Sequence, residues 1–287
     1  MNKILDGKKT SLKIKEEIYE ITSKLSKDDL PVLGIIQIGD LEESNIYIKH
    51  KMNMAKELNI DSILVKLTDN PTDEKIFETI KELSNQVTGI IVQLPMVSQN
   101  VSSVQNILNS IEELQDIDGL RIIDNQFNPL FLPATPKGII LLLNEYKIDF
   151  SNYDVSVVGQ SNIVGKPLSF YFDTHSKISR RYDKLTPKDN LKFSDLVIVA
   201  TGVKNSVTVD MLKDDVILMD VGIHRENSKI SGDLDFDACI EKAKYITPVP
   251  GGVGPMTVIS LIINLIKSYC LQNPDKLNLY KKINKYF

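Results

Sequence analysis

Lys51 shares one helical face with Tyr47, Met54, Ala55 and Leu58, and every other member of that stripe is apolar or aromatic. An amine so placed either snorkels, its stem covering apolar surface and its ammonium in water, or is partly desolvated. In the second case its pKa falls toward neutrality and it can take or give a proton. Gln93 ends the short β-branched run Gly89–Gln93, just before Leu94-Pro95, where its amide could orient that amine if the two elements converge. Asp116 and Asp118, in LQDIDGL, read either as turn residues bonding local backbone or as carboxylates that accept an amidine-like N–H edge of a heterocycle. Spacing leaves both readings open.

A second group of residues points to a nucleotide. Four runs of the second half end in glycine: VSVVG at Gly159, VIVATG at Gly202, LMDVG at Gly222 and ITPVPGG at Gly251. Ligands of open parallel sheets lie beyond the carboxyl ends of the strands, where glycine lets backbone come close. The segment GQSNIVGKP, Gly159 to Pro167, leaves a strand and opens a helix with proline in its first turn, so free N–H groups face the loop. Ser161 stands where the second glycine of a dinucleotide fingerprint would be. Asp183, some twenty positions on, is placed to bind a ribose hydroxyl; Arg180, Arg181 and Lys184 could instead neutralise a 2′-phosphate. NAD against NADP stays open on these residues.

The elements that must hold these groups alternate. Helical periodicity at Thr10–Leu25, Glu43–Leu58 and Asp73–Leu83 is interleaved with strand runs at Val32–Ile38, Ile63–Leu67 and Thr88–Gln93, and Asn100–Leu114 reads as a further helix. After the irregular stretch Gln115–Pro133, Thr135-Pro136 supplies an N-cap and first-turn proline for a helix over Lys137–Tyr146. Strands follow at Val155–Val158, Ile178–Tyr182, Leu196–Ala200, Val216–Asp220 and Tyr245–Thr247, then a long helix over Met256–Cys270 and a lysine-rich tail that reads as a solvated helix end. This pattern predicts an α/β protein of two domains, each on a parallel sheet with helical crossovers, the second Rossmann-like and doubly wound.

Composition removes several alternatives. A net charge of −4 gives no basic field for nucleic acid. Three scattered histidines and two distant cysteines lack zinc-ligand spacing, so no metal is expected and Cys239 and Cys270 read as buried thiols. The first residues lack the apolar core of a signal peptide, and no run of about 18 apolar residues is seen, so a cytoplasmic protein is expected.

Taken in order, these segments resemble the bifunctional methylenetetrahydrofolate dehydrogenase/methenyltetrahydrofolate cyclohydrolase family, the bacterial FolD type. SNIYIKHK (44–51) is similar to its S-x-x-Y-x-x-x-K, GIIVQLP (89–95) to G-I-x-V-Q-L-P, and DIDG (116–119) to D-V-D-G. PATPKG (133–138), VVGQSNIVGKP (157–167), DVGI (220–223) and PVPGGVGPMT (248–257) match further segments, the last being the family's most distinctive signature. The resemblance implies oxidation of 5,10-methylenetetrahydrofolate with NADP+, or with NAD+, and hydrolysis of the methenyl product to 10-formyltetrahydrofolate.

By the same resemblance Lys51 handles the proton of the hydrolysis, Gln93 tunes it, Asp118 binds the pterin edge and Tyr47 packs on the folate. Gly251, Gly252, Gly254 and Pro255 are expected beside the substrate. Gly159, Gln160, Ser161, Ile163, Val164, Gly165, Asp183, Thr201, Gly202, Gly222 and Ile223 are expected to line the cofactor. The resemblance further implies a folate domain over 1–120 and 262–287, a nucleotide domain over 121–261, a cleft between them, and a homodimer formed through the nucleotide domain. Departures from the family pattern include Gln115 for lysine, Ala134 for cysteine, Val97 for proline, Phe127 for glycine and His224 for asparagine. Gln160 stands where some NADP-using members have arginine. Two other readings are a dehydrogenase for a small acid, which would need a histidine or arginine site, and a homologue that has lost one or both activities.

Overall fold

The structure is a computed structural model that describes residues 3–226 and 229–287. In chain order its elements are α1 (Gly7–Thr22), β1 (Val32–Ile38), α2 (Glu42–Glu57), β2 (Asp61–Leu67), α3 (Asp73–Ser84), β3 (Gly89–Gln93), α4 (Val104–Asn109) and the hairpin β4 (Ile122–Ile123) and β5 (Gln126–Phe127). Then come α5 (Ala134–Glu145), β6 (Asp154–Val158), α6 (Gly165–His175), β7 (Ile178–Tyr182), β8 (Leu196–Val199), β9 (Val216–Asp220), the hairpin β10 (His224–Glu226) and β11 (Lys229–Ser231), α7 (Phe236–Lys242), β12 (Ala243–Ile246) and α8 (Val253–Gln272). Two compact units result: Lys13–Ala134 with Val258–Phe287, and the residues up to Leu12 with Thr135–Thr257. The limits fall at 134/135 and 257/258 where 120/121 and 261/262 were expected, and the N-terminal segment joins the second unit. There Leu5 N–H donates to Ile246 O at 2.9 Å, and Lys8 N–H donates to Gly251 O at 2.8 Å.

The first unit holds a three-stranded parallel sheet in the order β2-β1-β3. Its β3 is buried along its whole length, as a run of Ile and Val covered on both faces requires. The strand order reverses between β1 and β3, and Gln37 and Gln93 are register partners at the carboxyl ends of those two strands. The second unit holds a five-stranded parallel sheet, β12-β9-β8-β6-β7. Counted from β6 that is the 2-1-3-4-5 doubly wound order, with its switch point between β6 and β8.

Several boundaries differ from the sequence pattern for local reasons. α1 begins at Gly7, where the Asp6 carboxylate accepts the Lys9 N–H at 2.8 Å. α4 shrinks to six residues between Ser103, whose hydroxyl caps Asn106 N–H, and Ser110, whose hydroxyl bonds back to Ile107 O. Thr135 lies inside α5 rather than capping it, and its hydroxyl accepts from Thr257 Oγ1 at 3.1 Å.

The tail is not a solvated helix end. Pro274–Tyr286 winds as 3₁₀ turns with Tyr280 and Ile283 buried, and Tyr280 donates to Asp29 O at 2.7 Å. α8 is long and apolar enough to cross a membrane, contrary to the sequence reading, but most of it is buried within the protein. Its interior polar groups are satisfied there: Asn264 Nδ2 donates to Ile117 O at 2.9 Å and Ser268 Oγ to Leu114 O at 2.6 Å.

Candidate active site

In the first unit α2 carries Tyr47 and Lys51 past the switch point of the small sheet. Its first turn is fixed by a polar chain: Gln37 Nε2 donates to Asn45 Oδ1 at 2.9 Å, and Asn45 Nδ2 donates to Asp40 Oδ1 at 2.8 Å. Lys66, one strand over, donates to Asn45 Oδ1 at 2.9 Å. Lys51, a little over two turns into the helix, is half-buried and donates from Nζ to Gln93 Oε1 at 3.1 Å. Gln93 Nε2 in turn donates to Leu94 O at 2.7 Å, so the amide presents its oxygen to the amine.

Burial pushes the Lys51 pKa below the ordinary lysine value of 10.5, and the Asp118 carboxylate pulls the other way. The desolvated-amine reading therefore describes this lysine better than snorkelling does. A neutral amide accepts a hydrogen bond from the ammonium without adding the charge that would fix the proton there.

The two aspartates of LQDIDGL divide the alternatives between them. Asp116 is buried and accepts from Leu120 N at 3.1 Å, Arg121 N at 2.9 Å and Asn128 Nδ2 at 3.1 Å, which makes it the turn residue. Burial pushes its pKa up against those three donors. Asp118, two residues on and half-buried, is the carboxylate whose field reaches Lys51. The Gln115 amide donates to Ser84 O and Val87 O, both at 2.9 Å.

In the second unit the segment after β6 forms the expected strand–turn–helix. Gly159 has φ +100°, and a Cβ there would lie 2.1 Å from Ala200 O; at Gly165 it would lie 1.8 Å from Gly159 O. These two glycines let the start of α6 press on the strand end. Ser161 Oγ accepts Val164 N–H at 3.3 Å, and Gln160 folds inward to donate to Val157 O and Gly159 O at 3.1 Å. Ile163 and Ile223 are exposed at the same sheet end. Gly202, Gly251 and Gly254 are of another kind, since a Cβ at Gly202 or Gly254 would meet nothing within 4 Å and one at Gly251 only Pro248 Cγ at 3.9 Å. Gly252 is a packing glycine, where a Cβ would lie 2.5 Å from Pro248 O, and Pro255 lies in the first turn of α8.

The candidates for ribose and phosphate are redistributed. Asp183 is exposed at the end of β7, and its Oδ1 already accepts from Leu185 N, Thr186 N and Thr186 Oγ1. Those bonds hold its pKa below the usual carboxylate value. Arg180 is engaged within the protein: its fork is closed on Asp154, with Nη2 to Oδ2 at 2.7 Å. Arg181, on the opposite face of β7, pairs with Asp173 and lies over the Phe170 ring. Lys184 remains, exposed beside Asp183.

Sequence reading passed over two buried carboxylates at this sheet end. Asp220 accepts from Gly222 N at 3.0 Å, Asp233 N at 2.9 Å and Leu234 N at 2.9 Å, and burial raises its pKa to about 6. Asp233, fully buried, accepts from Thr201 and Gly202. A Cβ at Gly222 would lie 2.1 Å from Asp233 Oδ1, so the absent side chain there makes room for a carboxylate. The available signal was an acidic residue closing a fully apolar strand, VILMD, with a second acid in GDLDF.

Comparison with known proteins agrees with both halves. The family model described as "Tetrahydrofolate dehydrogenase/cyclohydrolase, catalytic domain" matches residues 5–118, and the one described as its "NAD(P)-binding domain" matches 133–273. The "Bifunctional protein FolD" of Metamycoplasma arthritidis is 49% identical over 95% of this chain and 94% of its own. The crystal structure of the bifunctional FolD enzyme of Campylobacter jejuni superposes with a TM-score of 0.87 at 37% identity, covering 94% of this chain and 99% of that one. The Trypanosoma brucei FolD, solved with NADP cofactor and inhibitor, gives 0.86 at 27% identity, covering 94% and 97%. On the two matched domains and the length of these alignments, the chain belongs to the tetrahydrofolate dehydrogenase/cyclohydrolase family.

Proposed function

We propose that this chain oxidises 5,10-methylenetetrahydrofolate to the methenyl cation with NADP+ and hydrolyses that cation to 10-formyltetrahydrofolate, the folate being handled by the unit that carries Lys51. The observation that carries the reading is the half-buried Lys51 amine, its pKa depressed by burial and its nitrogen bonded to a neutral amide at 3.1 Å. Hydrolysis needs water deprotonated beside a cation. An ammonium there would repel that cation, whereas a neutral amine accepts the water proton as the oxygen adds to the methenyl carbon. Breakage of one C–N bond then leaves the formyl group on N10, with one proton released overall.

Gln93 orients the amine, Asp118 balances its charge and accepts the N–H edge of the pterin, and Tyr47 stacks on the ring. The oxidation asks less of the chain, because the substrate's own nitrogen lone pair expels the hydride once the reactants are aligned. The residues of the second unit suit a dinucleotide, which accepts the hydride when bound: the glycine-flanked turn Gly159–Gly165 at the positive end of α6, with the Gly165 N–H, takes its pyrophosphate. Gly202 and Gly254, with open space where a side chain would stand, admit it closely, beside Gly159, Gly165, Thr201 and Ile223. Lys184, exposed beside Asp183, is assigned to the 2′-phosphate of NADP+. A homodimer in the cytoplasm is part of the same reading, and sedimentation at the monomer mass would remove the dimer.

The reading of a homologue without activity is not favoured, since Lys51, Gln93 and Asp118 stand together. The test is turnover: purified protein with methylenetetrahydrofolate and NADP+ forms the methenyl compound and then consumes it. Absence of turnover with both NADP+ and NAD+ would end the proposal.

A further inference from the structure

Asp233 is fully buried, and a buried carboxylate is tolerated only where donors replace water. Its donors come from two directions. Oδ2 accepts from Thr201 N at 2.7 Å, Thr201 Oγ1 at 2.8 Å and Gly202 N at 2.9 Å, which are the atoms of the turn that leaves β8 at the switch point. Oδ1 faces His224 Nε2 at 2.8 Å, from the first residue of β10. The segment bearing Asp233 is itself anchored, because Asp220 takes the N–H groups of Asp233 and Leu234 and its own N–H donates to Thr247 Oγ1 at 2.7 Å. Gly222 and Gly232 have no room for a Cβ because these two carboxylates fill it. The turn so held is the one in which Gly202, at φ +66°, faces open space.

We propose that Asp233 is a positioning residue for the dinucleotide, holding the Thr201–Gly202 turn in its binding shape, and that His224 fixes the Asp233 carboxylate for that task. This rests on the function proposed above and adds to it residues that touch neither reactant. Consuming the Thr201 and Gly202 N–H groups internally leaves that turn to meet the cofactor through the open face at Gly202. The clamp therefore acts on dinucleotide affinity and leaves hydrolysis, which uses no dinucleotide, alone.

The experiment measures NADP+ binding by calorimetry, together with both activities, for the wild-type chain, Asp233→Asn, His224→Leu and His224→Asn. The amide at 233 turns one acceptor into a donor facing donors, and NADP+ affinity is expected to fall roughly tenfold or more. Hydrolysis of methenyltetrahydrofolate supplied directly should stay within about twofold. His224→Leu should weaken NADP+ in the same direction, and His224→Asn, which keeps an N–H donor, should recover most of the loss. Unchanged NADP+ affinity in both Asp233→Asn and His224→Leu overturns the proposal, and so does a parallel loss of hydrolysis. Should Asp233→Asn fail to fold, the two His224 variants decide by the same criteria. A wild-type chain that binds no dinucleotide would instead overturn the function on which the proposal rests.

Discussion

Three influences meet on the Lys51 nitrogen: burial lowers its pKa, Asp118 raises it, and the Gln93 amide oxygen accepts its hydrogen bond. If the neutral amine is the active form, hydrolysis accelerates with rising pH until Lys51 is deprotonated, with an inflection below 10.5. Replacing Asp118 by asparagine removes the charge that stabilises the ammonium, so the inflection should move to lower pH; a pH–rate profile that moves upward would contradict this role for Asp118. Much of this was legible in the sequence, since a lone lysine on an apolar stripe and a glutamine at a strand's carboxyl end are unusual without a task. Spacing did not choose between Asp116 and Asp118, because two carboxylates two residues apart in a turn differ only in which way the chain bends; only the family resemblance named Asp118. Arg180 and Arg181 misled for a related reason: sequence shows the charge but not the partners, Asp154 and Asp173, that consume it.

The strand-end glycines separate into two classes at the level of elements, and the classes predict different mutants. Gly222→Ala would force a methyl group onto the Asp233 carboxylate and should cost about 1–3 kcal/mol of stability, read as a lowered midpoint in urea. Gly254→Ala, in the first turn of α8, meets no atom within 4 Å and should not lower the midpoint while weakening ligand binding. Equal destabilisation by the two would show that the open space at Gly254 is misassigned. Alternation of helix and strand patterns was enough to foresee both parallel sheets and the turn into α6, since buried parallel strands are written as apolar runs. Element ends were less legible: Asp6, Ser103 and Ser110 set them through single side-chain bonds that a periodic pattern does not record.

For the whole molecule the tail carries a structural duty that its lysines conceal. Tyr280 is fully buried and bonded to Asp29 O, and Lys276 pairs with Asp29 at 2.6 Å. Tyr280→Ala should therefore destabilise the fold by about 3–5 kcal/mol, whereas Lys281→Ala, at an exposed position, should not change the melting temperature measurably. α8 likewise combines an apolar composition that would suit a membrane with buried Asn264 and Ser268, whose partners lie in the protein.

On the proposed reading, one chain performs two steps, of which only the second depends on the Lys51 amine. The most direct test is Lys51→Gln, which keeps a polar group of similar reach beside Gln93 but cannot accept a proton at neutral pH. Assayed with methylenetetrahydrofolate and NADP+, the variant should still form the methenyl compound and let it accumulate, with hydrolysis slowed roughly 100-fold or more. Hydrolysis at the wild-type rate in this variant would contradict that division of labour.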